Sequence, residues 1–169
     1  MEDPGLTDFG ILQSATLGSN FQRMDKVTHI ITSPCRRTIM TAKHAFRPLL
    51  NRGMEIHLIN FLKERGSNPC NNGSPVDVLR SQFKDLKLND DALEPNWQNQ
   101  FLKYDSRGDW RKAALTIRKE LLLIGMRFLE KGEVNKDGNV EMVVVSHGGT
   151  LRIIDGTRGK CLILFSDVL

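Results

Sequence analysis

The sequence predicts an α/β protein, a three-layer α/β/α sandwich on a mainly parallel sheet, and three observations predict it. Short β-branched runs alternate along the chain with longer segments whose apolar residues recur at helical spacing. Two of those runs, ending near Ser33 and Ser146, turn at once into a helical pattern, as parallel strands do before their crossover helices. The 169 residues have the length of one domain, taken here as 1–169, and suffice to bury a real core.

In chain order, the opening D-P-G-L-T-D-F-G-I-L-Q-S-A reads as a loop feeding a helix, with Thr7 at the N-cap and Asp8 in the first turn, where its charge suits the helix dipole. Val27 to Ser33 is short, β-branched and closed by Pro34, so it reads as a strand. From Arg36 to Leu50 the residues Ile39, Ala42, Ala45 or Phe46, and Leu49 fall on one helical face, and Pro48 predicts an early or kinked end. Glu55 to Leu62 alternates as another strand. A polar loop, K-E-R-G-S-N-P-C-N-N-G-S, then runs to Ser74 and Pro75, read as the N-cap and first position of a helix. Asn89 to Ser106 has little periodicity and reads as a short helix or lid anchored by Trp97, Phe101 and Tyr104. Arg107 to Lys131 carries the longest helical pattern, with Trp110, Ala113, Ile117, Leu121, Ile124 and Phe128 on one stripe and Gly132 as its stop. The turn Lys136 to Gly138 leads into the strand of Val140 onward, and Cys161 to Phe165 reads as a final strand.

Composition narrows the function classes. A hydrophobic fraction of 40%, a charged fraction of 26% and a mean hydropathy of −0.31 are those of an ordinary soluble domain. The net charge of +4 permits an acidic partner, but the basic residues are dispersed and form no stripe with interleaved aromatics, which argues against nucleic acid. Cys35, Cys70 and Cys161 are odd in number and lack a C-x-x-C pair, so neither a disulfide framework nor a zinc site is expected. No metal-spaced His/Asp set and no cofactor motif occur, no apolar run reaches membrane-spanning length, and M-E-D-P-G is no secretory leader. The expectation is a cytoplasmic protein in a reducing compartment.

The chemistry concentrates in V-E-M-V-V-V-S-H-G-G-T-L-R-I-I, from Val140 to Ile154. His147 stands at the turn between strand and helix, where the next helix offers unpaired N–H groups and a positive dipole end; an anion suits that place. Gly148 and Gly149 let the backbone approach it, and the imidazole is expected to add charge or a proton. Ser33-Pro34-Cys35-Arg36-Arg37-Thr38 is a second strand-end motif, so Arg37 should reach the same crevice and bind planar oxygen pairs, with Arg36 as a helper. Glu64, just past a third strand, supplies a carboxyl group at that edge, suited to protonating a leaving oxygen. His29, His44 and His57 lie within predicted strands or a helix and are assigned structural roles.

Four motifs in order, L-T-x-x-G-x-x-Q, S-P-x-R-R-T-x-x-T-A, L-x-E with a following P-C-x-x-G, and V-V-S-H-G-G-x-L-R, make the chain resemble the histidine phosphatase superfamily, also called phosphoglycerate-mutase-like. The resemblance covers about 3–154, leaving 155–169 as a divergent tail, and the loop P-C-N-N-G points to the branch common in fungi and plants. It implies phosphoryl transfer through a phosphohistidine, with a Glu as acid and then base, and Arg and His side chains holding the equatorial oxygens. Carried over, Arg37 matches the phosphate-binding arginine, Glu64 the proton donor and His147 the second histidine. The family's first strand ends in an Arg-His-Gly that carries the nucleophile, and no such triplet occurs here. The expectation is therefore a domain incomplete at both ends: a phosphomonoester phosphatase or hydrolase by class, inactive or impaired as a pseudoenzyme. The alternative is a non-catalytic module binding a phosphate ligand or a protein. Its partner would be phosphate or a phosphorylated small molecule, with association through an exposed sheet edge where the strand is lacking.

Overall fold

The computed structural model describes residues 2–64, 66, 68–99, 110–155 and 162–165, with backbone alone for 99, 110, 155 and 162–165. Its centre is the pair of β-branched runs. β1 (His29–Thr32) and β4 (Met142–Val145) lie side by side in parallel, Ile30 against Val143 and Thr32 against Val145, and every residue of both is buried. β2 (Ile56–Leu58) pairs in parallel on the other side of β1, and β3 (Leu88–Asn89) in parallel on β2. β5 (Leu162–Phe165) closes the order β3-β2-β1-β4-β5 by running antiparallel to β4. The four parallel strands flanked by helices are the predicted sandwich, and the expected final strand lies on the β4 edge.

Because successive side chains on a strand point to opposite faces, each strand feeds two cores. Ile30, Ile56, Leu58, Val143 and Val145 face one layer, with Ile39, Ala42 and Phe46 of the helical side. Ile31, Met142 and Val144 face the other, with Ile117, Leu121, Leu151 and Ile154. Strands buried on both faces need continuous apolar runs, which is why M-V-V-V shows no alternation.

The helices follow their signals with informative exceptions. α1 (Asp8–Ser19) starts at Thr7, whose hydroxyl accepts the Gly10 N–H at 3.2 Å. α2 (Arg36–Ala45) stops before Pro48, and a single turn, α3 (Arg47–Leu50), resumes with that proline inside its first turn. β2 is shorter than predicted: after Leu58 the chain bends into a 3₁₀ turn, Asn60–Leu62. α4 (Val76–Gln82) has Pro75 itself as N-cap, because the Ser74 hydroxyl donates instead to the Asp3 carboxylate at 2.7 Å. Trp97 is the predicted anchor, 1% exposed in the 3₁₀ turn Trp97–Asn99; Phe101 and Tyr104 lie outside the described residues, as do residues 107–109 and Cys161. α5 (Trp110–Glu130) buries Ala113, Ile117, Leu121 and Phe128 and ends before Gly132, whose φ of +71° suits a residue without a Cβ. α6 (Gly148–Asp155) leaves β4 through Ser146 and His147.

Candidate active site

Since β2, β1 and β4 are adjacent and parallel, the segments leaving their carboxyl ends meet at one edge. The β1 exit is shaped by its own polar groups. Pro34 ends the ladder, and the Thr38 hydroxyl, 2.8 Å from the Ser33 carbonyl and 2.7 Å from that of Cys35, closes the first turn of α2. That turn aims two arginines in different directions.

Arg37 points into the edge. Its Nε donates to His147 Nδ1 at 3.1 Å, Nη1 to the Cys70 carbonyl at 2.8 Å and Nη2 to Asn71 Oδ1 at 3.3 Å. A guanidinium has five N–H donors, so two remain for an incoming oxyanion. Arg36 goes elsewhere. Its backbone N–H donates to Asp3 Oδ1 at 2.9 Å and its Nη1 lies 3.4 Å from the Asp3 carbonyl, so the start of α2 is capped by a buried carboxylate of the same chain. The expected helper is thus tied to Asp3.

His147 is buried, and its partners fix its tautomer. Arginine can only donate, so Nδ1 holds the lone pair; Nε2 then carries the proton and donates to Ser33 Oγ, 2.8 Å away. Burial, with the nearby Arg37 and Lys63 charges adding to it, pushes the imidazole pKa down to about 3. Held in this way, the ring is a neutral, oriented imidazole.

Glu64 reaches the same edge from β2. Its Oε2 accepts the Gly149 N–H at 3.3 Å, placing a carboxylate at the amino end of α6. Two hydroxyls hold the preceding backbone in register: Ser146 donates to the Leu62 carbonyl at 2.6 Å and Thr150 to that of Lys63 at 2.7 Å. Glycine is required at 149, where a Cβ would collide with the Glu64 carboxyl group, whereas a Cβ on Gly148 would meet no heavy atom within 4 Å. Position 148 is therefore open space beside the carboxylate.

Arg37 and His147 are joined by a hydrogen bond, Glu64 reaches the amino end of α6 where Gly148 stands, and Arg36 is held by Asp3. Sequence reasoning passed over three further residues. Ser33 holds His147. Asn71, on the P-C-N-N-G loop, holds Arg37. Lys63 is 4% exposed, its ammonium donating to the carbonyls of Trp97 at 3.2 Å and Gln98 at 3.0 Å and lying 5.3 Å from the Trp97 ring centroid. Only the position of Lys63 beside Glu64 was available as a signal, and a lysine in a K-E-R run is usually solvated.

The layers and the parallel strand ends are those of a phosphoglycerate-mutase-like fold. A family model, histidine phosphatase superfamily (branch 1), matches residues 1–156, and the chain belongs to that superfamily. No curated protein matches the chain.

Proposed function

We propose that the chain is a phosphate-recognising member of the phosphoryl-transfer class, one whose own side chains hold phosphate or a phosphorylated small molecule without turning it over. The position of its four histidines supports this. His29 and His57 belong to strands β1 and β2, and His44 to α2. His147 has both ring nitrogens engaged, and the one with the lone pair faces Arg37. A phosphohistidine needs that lone pair aimed at phosphorus, in line with the leaving oxygen.

What remains suits binding: the spare N–H groups of Arg37 and the open backbone at Gly148. Placement in the branch common in fungi and plants rests on the P-C-N-N-G loop. A cytoplasmic setting accords with the free thiols of Cys35 and Cys70; among the described residues no helix is long and apolar enough to cross a membrane.

Calorimetric titration with inorganic phosphate, alongside a phosphomonoester hydrolysis assay, tests the proposal. Weak phosphate binding is expected, with hydrolysis at background; Arg37→Ala should weaken binding by about 1.5 to 3 kcal/mol, the range for a charge-assisted hydrogen bond. Unchanged affinity in Arg37→Ala, or robust hydrolysis abolished by His147→Ala, would overturn it.

A further inference from the structure

Lys63 follows the 3₁₀ turn Asn60–Leu62 and is buried, so its ammonium exchanges water for protein acceptors. Taking a charge out of water is costly and is offset only by well-placed partners. Here they include the carbonyls of Trp97 and Gln98, at 3.2 and 3.0 Å, with the Trp97 ring beside them. The other end of the residue is fixed as well: its own carbonyl accepts from the Thr150 hydroxyl at 2.7 Å, one residue past Gly149, whose N–H meets Glu64. Lys63 therefore ties residues 97 and 98 to the edge where α6 begins.

What it ties down is the back of the P-C-N-N-G loop. The Gln98 carbonyl that accepts from Lys63 also accepts the Gly73 N–H, at 3.2 Å. Gly73 lies flush on the Trp97 indole, where a Cβ would collide with the ring. Two and three residues back stand the Asn71 carboxamide and the Cys70 carbonyl, the acceptors that hold the two ends of the Arg37 guanidinium. The span between is short and closed on itself: Cys70 and Asn71 lie in the 3₁₀ turn Pro69–Asn71, and the Asn72 N–H donates to the Pro69 carbonyl at 3.1 Å. A shift at Gly73 therefore reaches the acceptors of Arg37 within one turn of backbone. We infer that Lys63 is a positioning residue for Arg37: by holding Trp97 and Gln98 against Gly73, it sets the loop that aims the guanidinium. Its effect on anion affinity rests on the phosphate-binding reading of this edge; its effect on Arg37 does not.

Both effects are readable in the full chain. The NMR signal of the Arg37 Nε–H, assigned by its loss in Arg37→Ala, reports the bond to His147, and calorimetry with inorganic phosphate reports affinity. Lys63→Met keeps the apolar stem and removes the ammonium. It should speed solvent exchange of the Arg37 Nε–H about threefold or more and weaken phosphate binding by about three- to tenfold, the size of coupling expected between residues of one hydrogen-bonded network. Trp97→Phe leaves Lys63 and both carbonyls in place and narrows the ring that bears on Gly73, so it should loosen Arg37 in the same direction and by less. An Arg37 signal unchanged in Lys63→Met overturns the inference; joined to weaker phosphate binding, it would mean that the ammonium acts on the anion through space. Where Lys63→Met fails to fold, an unchanged signal in Trp97→Phe overturns it as well. Faster exchange at Arg37 in a chain that binds no phosphate, wild type included, sustains the inference and overturns the reading of the edge.

Discussion

At the carboxyl edge of the sheet, His147 accepts an N–H from Arg37 and gives its own to Ser33; at the amino edge, His29 lies flat on Phe128, ring centroids 3.5 Å apart and planes 12° from parallel, with Nε2 3.0 Å from a Glu133 carboxylate oxygen. His57 adds a second imidazole there, its centroid 5.8 Å from that of His29. The amino edge also has a cleft of about 620 Å³, yet its carboxylates Asp25, Glu55 and Glu133 outnumber its permanent cations, Arg52 and Lys131. Strand direction explains the contrast. In a parallel sheet the helices begin at the carboxyl edge and end at the amino edge, so one edge gathers N–H groups and the other carbonyls. Two histidines and a large cleft do not make an anion site; donors fixed in place do.

The largest effect that separates the two edges is on acid stability. The His147 pKa falls to about 3, against about 6.5 for an unfolded histidine, so between those values the unfolded chain binds a proton that the folded one refuses. This contribution is fully present above about pH 6.5 and is lost as pH falls toward 3, an effect of a few kcal/mol. His29 shifts in the same direction through burial, but its bond to Glu133 works against the shift, so its share is smaller. Urea titrations across that window should show His147→Gln flattening the pH dependence more than His29→Gln. A steeper loss with His29→Gln would mean that the amino edge holds the more strongly desolvated imidazole.

A smaller effect tests how tightly the carboxyl edge is built. In an open helix Gly→Ala stabilises by about 1 kcal/mol, but at 149 the new Cβ would collide with the Glu64 carboxyl group. Moving that carboxyl group aside would break its bond to the Gly149 N–H, so Gly149→Ala should cost about 1 kcal/mol instead. In a Glu64→Ala background the same substitution should become neutral or favourable, a coupling that a double-mutant cycle reads directly. Additive effects would place the Glu64 carboxyl group away from α6.

What the sequence made legible was whatever depends on near neighbours. The β1 and β4 runs, the Thr7 cap, the break at Pro48 and the stop at Gly132 each follow from residues within a turn of one another. The failures all involve distant partners. Ser74 looks like an N-cap until Asp3, 71 positions away, accepts its hydroxyl hydrogen bond, and the Asp3 backbone carbonyl accepts from the Arg36 guanidinium. β2 ends at Leu58, opposite Thr32 at the end of β1, and β3, with only Leu88 and Asn89, is too short a strand to leave a periodic trace. The residue types at the site were readable, but the neutrality of His147 was not: it arises from burial and from Arg37 and Lys63, which folding alone brings near.

The smallest expected effect is a null result, and it carries the comparison. Sulfate mimics a phosphate dianion but keeps its charge at ordinary pH, so its affinity reports the protein's own donors. Because His147 is already neutral in the folded chain, sulfate affinity should stay flat from about pH 8 to 5, where a ring near its ordinary pKa would strengthen it tenfold or so. Arg52→Ala and Lys131→Ala each remove a cation from the amino-edge cleft without touching the carboxyl edge. Both should leave sulfate affinity within about twofold of wild type, the size expected of a distant, screened charge. Calorimetry on the two variants beside Arg37→Ala decides the matter. If Arg52→Ala or Lys131→Ala costs as much as Arg37→Ala, the anion sits in the amino-edge cleft, and fixed donors matter less than cavity size.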